Sequence, residues 1–300
     1  MEDLTKLHEI LKDLLHVFDE VCRSHNLKYY AIAGTLLGAV RHNGFIPWDD
    51  DVDVAMLRED YDKFIKLADE FKEPYCLRSM ENDKGSNLRH YRLVNNSTTF
   101  IPLRYSIYDC NKGAFIDIFP LDVIPDNKKL AEKQTNEISR LKLITNYWNR
   151  YDSENVGTVG LSAVKKIGFY LICPAFRFGI LNGVKLFRKL DSIASKYQAT
   201  KSKKIGQVLD MPGNDRCIYD IDDFAETIYM SFEDMTLPVP NGYDNILRTG
   251  YGNDYMIPKN VSSQHGAAIY NPYIPWKEYV AEHKDELMAL WVKQRNNMDG

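Results

Sequence analysis

The chain has 300 residues, enough to bury a sizeable core as one large domain or two modest ones. Its formal net charge of −4 argues against a dedicated nucleic-acid binder, whose surface carries a basic surplus. Five scattered cysteines (22, 76, 110, 173 and 217) with no C-x-x-C pair exclude a zinc ribbon and fit a reducing compartment better than a disulfide scaffold. The first residues are mixed and charged, with no signal-peptide core. The longest apolar run, 167–176, is bounded by Lys166 and Arg177 and contains Pro174, well short of the ~18 residues a spanning helix needs. A cytoplasmic protein is expected, with peripheral contact at the inner membrane face as an option.

Taken in order, Leu4, Leu7, Leu11, Leu14, Leu15, Phe18, Val21 and Cys22 recur at three- and four-residue spacing and predict an amphipathic helix ending near His25-Asn26. Residues 29–33 read as a short strand, Gly34-Thr35 as the turn after it, 36–40 as a helix, and Asn43-Gly44 as a turn. Residues 51–56 alternate polar and apolar, which predicts a strand with Val52 and Val54 inward and Asp51 and Asp53 on the opposite face. A helix is expected over 60–71 and strands over 91–94 and 114–119, closed by Pro120 and the Pro125-Asp126-Asn127 turn. From about 128 to 205 helical spacing and basic residues dominate, predicting a helical insertion rather than an independent domain. Short strands follow Met211-Pro212-Gly213, then a loop over 238–242 and a last helix from Trp276 to about Arg295.

The run Trp48-Asp49-Asp50-Asp51-Val52-Asp53 is the sharpest local signal. Two carboxylates at i and i+2 of a strand leave one face together and can share a divalent ion. Such a pair alone also fits a solvated strand face. Four aspartates within five positions, directly before a buried strand, are different, because like charges so close repel unless a cation neutralises them. Gly34-Thr35 lies upstream at a helix start, where backbone N–H groups can cradle a phosphate. Asp117, on the strand 114–119, is placed to complete a metal site. Asp50 falls on the other face of a regular strand and reads as a structural hydrogen-bonder.

The stretch 30–61, YAIAGTLLGAVRHNGFIPWDDDVDVAMLREDY, resembles the LicD family of phosphotransferases, with further similarity around Arg92 to Phe100, 116–122 and Gly242 to Pro258. Where family members often carry paired histidines after Pro258, this chain has Gln264-His265-Gly266. The resemblance implies an α+β, nucleotidyltransferase-like mixed sheet flanked by helices. It also implies a single catalytic domain over 1–300: a core about 1–127, an insertion about 128–205 and a returning part about 206–300. The implied reaction moves phosphocholine from CDP-choline onto a hydroxyl of a cell-surface glycan, lipid-linked glycan or teichoic acid precursor, releasing CMP. A CDP-linked ribitol or glycerol phosphate, or true nucleotidyl transfer, are the alternatives, and a silent binding protein is a third.

On this reading Asp51, Asp53 and Asp117 are catalytic and, with Asp49, hold Mg²⁺ or Mn²⁺, while Asp117 also takes the hydroxyl proton. Gly34, Thr35, Arg41, Trp48, Arg92 and His265 contact substrate. Trp48 is the first candidate to face a quaternary ammonium. The basic, aromatic-rich stretch 165–189 suits either an anionic membrane or simple packing with its lysines in water.

Overall fold

The computed structural model describes residues 4–154, 156–259 and 267–298. The chain opens with α1 (Thr5–Ser24), whose buried side Leu7, Leu11, Leu14, Leu15, Phe18 and Cys22 is the predicted stripe. A two-residue strand β1 (Tyr30–Ala31) leads directly into α2 (Ala33–His42), and Asn43 closes that helix in the left-handed conformation at φ 55°. The expected turn at Gly34-Thr35 is therefore the first turn of α2. Next come β2 (Asp53–Leu57), α3 (Arg58–Phe64) and a 3-10 segment Ile65–Glu70, so the helix expected over 60–71 starts earlier and tightens halfway. Then follow β3 (Tyr75–Arg78), β4 (Tyr91–Asn95), β5 (Thr99–Pro102) and the long β6 (Ala114–Ile124).

The helical stretch is α4 (Lys128–Asp152), α5 (Ala163–Arg177) and α6 (Gly183–Ala194). Short strands β7 (Lys204–Gly206) and β8 (Ile218–Asp220) come next, then the hairpin β9 (Thr227–Phe232) and β10 (Met235–Pro240). The chain finishes with α7 (Tyr243–Tyr251), β11 (Ala268–Asn271), α8 (Trp276–Glu282) and α9 (Lys284–Met298). Two expectations fail here. The predicted terminal helix is broken at His283, and the predicted loop over 238–242 is largely strand. Pro238 and Pro240 sit two apart in β10, opposite Tyr229 and Thr227, so both turn the side lacking an N–H the same way, off the ladder.

The main sheet runs β1-β2-β6-β4-β3, with β7 and β8 continuing from the far end of β6. Only β2 and β6 pair in parallel; the other neighbours are antiparallel. The architecture is α+β with a mixed sheet. Pro120 does not end β6, because β4 pairs only as far as Ile118 and β7 joins at Asp122, leaving it in the gap between them. The core is continuous from α1 through β1, β2, β4 and β6 to β10 and α7. Each fully buried Leu or Phe contributes about 1.5–3 kcal/mol relative to exposure.

One buried ion network ties the helical stretch to the sheet. Arg58 of α3 donates Nε and Nη2 to the two oxygens of Asp122 on β6, both at 2.7 Å, and Nη1 to Asp191 of α6 at 2.6 Å. Asp122 is 0% exposed and Arg58 4%. Burial alone would lower the Arg58 guanidinium, and the charges of Asp122 and Asp191 outweigh it, so the arginine stays charged.

Candidate active site

The parallel pairing sets Asp53 on β2 beside Asp117 on β6, and Asp117 stands opposite Arg92 on β4. Strands lie ~4.8 Å apart, and partners in register share a sheet face, so the three side chains form a row. The Thr35 hydroxyl accepts the Asp53 backbone N–H at 2.9 Å, fixing where β2 begins. Residues 47–52 are a loop rather than the start of that strand. His8 of α1 donates Nε2 to the Asp49 carbonyl at 2.8 Å, and its ring stacks on Phe45 at 4.3 Å, pinning the loop from below.

Because these residues are not in a strand, strict alternation does not govern them. Asp49, Asp50 and Asp51 turn inward together, each offering an oxygen within 4.8 Å of the others. Asp50, expected on an opposite face, joins the cluster and is buried. Gly34 makes room beside it: a Cβ there would collide with the Asp49 carboxylate.

A cleft of about 490 Å³ opens over this loop. Asp49, Asp51 and Asp53 line it, with Gly34 from the first turn of α2, where backbone N–H groups have no intrahelical acceptor. Trp48, Tyr251 and Tyr255 supply aromatic surface, and Arg41, Arg216, Arg248 and Lys259 supply positive charge. Arg41 is oriented by a hydrogen bond from Nη1 to the Tyr255 carbonyl at 2.7 Å. Arg248 is held by Asp244 at 2.7 Å and Lys259 by Asp254 at 2.8 Å.

The charges are unevenly compensated. Burial, then the neighbouring carboxylates Asp51, Asp117 and Asp49, push Asp53 well above the ordinary carboxylate range, with Arg92 the opposing cation. Burial also pushes Asp49 up, to about 6, against a hydrogen bond with Asp51 and with reinforcement from Asp50. Tyr251 is raised by burial and by the same aspartates, so its phenol stays protonated and can donate.

Asp117 has a different environment. It is 4% exposed, accepts Arg92 Nε at 2.5 Å and Nη2 at 3.2 Å, and lies 2.6 Å from His90 Nε2. Burial would raise this carboxyl, but the charges of Arg92 and His90 win and hold it well below the usual range. Behind His90, its Nδ1 lies 2.9 Å from Asp210 Oδ2, close but out of line for a good hydrogen bond. Burial would lower His90, yet Asp210 and Asp117 raise it to about 9.

The predicted residues thus divide. Asp49, Asp51, Asp53, Gly34, Arg41 and Trp48 meet in the cleft. Thr35 is buried and spends its hydroxyl on the Asp53 backbone, so its side chain is a support rather than a phosphate contact. Arg92 does not line the cleft; it grips Asp117 with its guanidinium 3.6 Å from the Phe115 ring centre. Asp117 adjoins the site through Asp53 but has both oxygens engaged. His265 lies outside the described residues. Sequence reasoning missed Arg216 and Lys259, named no role for Arg248, Tyr251 or Tyr255 although they lie in the similar stretch from Gly242 to Pro258, and missed His90 and Asp210 entirely.

The donor set suits a hard divalent cation: carboxylate oxygens clustered in one loop, with Asp53 raised by burial and by the neighbouring carboxylates. Magnesium or manganese fits the residues present.

Comparison with known proteins supplies the family. Residues 26–145 match the family model described as LicD/FKTN/FKRP, nucleotidyltransferase domain. The chain is 30% identical over 268 residues to the lipopolysaccharide cholinephosphotransferase LicD of Haemophilus influenzae, covering 87% of this chain and 94% of that protein. Shorter matches of 67 residues link it to uncharacterized proteins of Rickettsia typhi, at 42% identity, and Rickettsia prowazekii, at 39%. These cover 22% of this chain and 20% and 24% of the relatives. The fold and site define a transferase, and the chain belongs to the LicD family.

Proposed function

We propose that the chain transfers phosphocholine from CDP-choline to a hydroxyl of a cell-surface glycan or its lipid-linked or teichoic acid precursor, on the cytoplasmic side, as one catalytic domain. One observation carries the reading: a single cleft holds a carboxylate cluster, four cationic side chains and an aromatic wall. Those are the complements of a metal-bound diphosphate and a quaternary ammonium.

In the transfer, the acceptor oxygen attacks the phosphorus bearing choline, the bond from that phosphorus to the bridging oxygen breaks, and CMP leaves with the bridging oxygen. Asp49, Asp51 and Asp53, with Asp50 in the same cluster, would hold Mg²⁺ or Mn²⁺, with Asp117 behind Asp53 adding negative charge. When bound, that ion neutralises charge on the diphosphate and the leaving CMP. Arg41, Arg216, Arg248 and the first-turn N–H groups of α2 bind phosphate oxygens and stabilise charge that develops on them. The protonated Tyr251 phenol donates to the same region. Trp48, Tyr251 and Tyr255 offer ring faces to the trimethylammonium. The hydroxyl proton passes to a cleft-lining carboxylate rather than to Asp117, whose oxygens are held by Arg92 and His90. Asp117 instead keeps a fixed negative charge beside Asp53.

The test is CMP release, with Mg²⁺ and without it, from CDP-choline, CDP-ribitol and CDP-glycerol, each with a glycan acceptor. Mg²⁺-dependent CMP from CDP-choline is expected. CMP from a polyol donor alone would replace the choline assignment, and pyrophosphate from CTP in place of CMP would establish nucleotidyl transfer. Trp48→Ala should raise KM for CDP-choline about tenfold, consistent with loss of a desolvated cation–π contact, and change KM for CDP-glycerol little.

A further inference from the structure

The helix α5 is fastened along one side. Phe169 packs against Tyr147 with ring centres 6.0 Å apart, and Phe176 against Trp148 at 5.4 Å and Tyr151 at 5.3 Å. Away from that side, Val164, Ile167, Leu171 and Phe178 recur at helical spacing and are 80%, 62%, 78% and 75% exposed. Tyr170 and Ile180 widen the patch and are also exposed. An amphipathic helix of a soluble protein turns such a stripe inward, and a contiguous apolar patch in water marks a surface that meets something.

Charge says what it meets. The whole chain is net negative, yet between Glu154 and Asp191 it has six basic residues and no acidic one: Lys165, Lys166, Arg177, Lys185, Arg188 and Lys189. Arg188 pairs with Glu81, and Lys185 donates to the carbonyls of Gly179 and Ile180. The other four are exposed and make no ion pair among the described residues. At 3.6 residues per turn, Lys166 and Arg177 fall at the edge of the stripe beside Tyr170. A second copy of the chain pressed onto this face would bring like charges together. A surface of acyl chains under anionic headgroups complements both features. The described helices include none long and apolar enough to cross a membrane, so the contact lies in the interface plane.

We propose that α5, extended by Phe178 and Ile180, seats the protein on an anionic lipid bilayer. The apolar stripe enters the headgroup boundary, and Lys166, Arg177 and Lys189 meet the lipid phosphates. This goes beyond the transfer reaction and does not depend on which donor is used.

Co-sedimentation of the full chain with vesicles tests it, using phosphatidylcholine alone or mixed with phosphatidylglycerol. Wild type should partition at least about tenfold better onto the mixed vesicles, and salt should weaken that binding. Leu171→Glu with Phe178→Glu, both solvent-facing and so compatible with an unchanged melting temperature, should abolish it. Lys166→Glu and Arg177→Glu should each cost roughly fivefold or more. Asp53→Asn should bind vesicles like wild type, so failure here and failure of the transferase reading are separable. Equal sedimentation with and without vesicles, or binding unaffected by Leu171→Glu with Phe178→Glu, would overturn the proposal. A dimer in light scattering that the same double variant splits, without vesicle binding, would overturn it in favour of self-association.

Discussion

Two groups of buried aspartates show how one residue type serves opposite ends. Asp122, with no solvent exposure, is bonded through both oxygens to Arg58, which also reaches Asp191. Arg58 with these two carboxylates joins α3, β6 and α6. Asp49, Asp51 and Asp53 crowd together across a cleft, and the nearest cation in the sheet, Arg92, is committed to Asp117. One group carries its counter-charge within the fold. In the other, burial and mutual repulsion outweigh the nearby cations and raise Asp53 and Asp49. Burial raises the energy of an ionised carboxylate in both places, and what differs is whether an arginine is locked onto it or other carboxylates crowd beside it.

The contrast can be broken from either side. Arg58→Ala should have the largest effect, about 3–5 kcal/mol of lost stability in urea unfolding, because Asp122 is left charged and unpaired in the interior. The folded fraction should retain wild-type turnover within about twofold, since that network is outside the cleft. Asp53→Asn should do the reverse, lowering kcat by about 10²–10³, or ~2.7–4 kcal/mol of barrier, with no loss of stability. Gly34→Ala should be milder, about 10–100-fold in kcat/KM, or ~1.4–2.7 kcal/mol, because the new methyl displaces the Asp49 carboxylate while leaving the core intact.

Asp83 supplies the smallest and most graded case. Burial pushes it up to about 6 despite the Asn111 backbone N–H and the nearby cations Arg78 and Lys112. A carboxyl with its folded value above its unfolded one favours the protonated fold. Its contribution is therefore present below about pH 3.8, is lost as pH rises towards about 6, and leaves a constant cost above that. Asp83→Asn should flatten melting temperature against pH between those values and stabilise the protein by roughly 1–2 kcal/mol at neutral pH, less than the full shift because the side chain is partly exposed.

Much of this was readable from the chain. Period-3.6 spacing located α1, the alternation over 51–56 located β2 to within two residues, and the clustered aspartates located the loop that lines the cleft. Placing Asp117 with Asp53 was also possible, because a second buried strand carrying one acid invites pairing beside the first. What failed has a common cause: contacts from outside the local window decide it. The Asp49–Asp51 segment has no ladder partner, so alternation misplaced Asp50. Arg92 looked like a phosphate ligand until its register opposite Asp117 supplied a nearer carboxylate. Arg216, Arg248 and Lys259 reach the cleft from far along the chain, and no local pattern says so. The Arg58–Asp122 clamp spans 64 positions and is equally silent in sequence.

The most direct measurement is the melting temperature of wild type and Asp53→Asn, first in EDTA and then with Mg²⁺ and CDP-choline. Because burial and the neighbouring carboxylates raise Asp53, Asp53→Asn should melt at or above wild type in EDTA. Wild type alone should then rise with the ligands, by about 2.7 kcal/mol at one hundred times the dissociation constant. An Asp53→Asn protein that melts well below wild type in EDTA, with neither protein responding to ligand, would show that Asp53 is held as Asp122 is and would contradict the account.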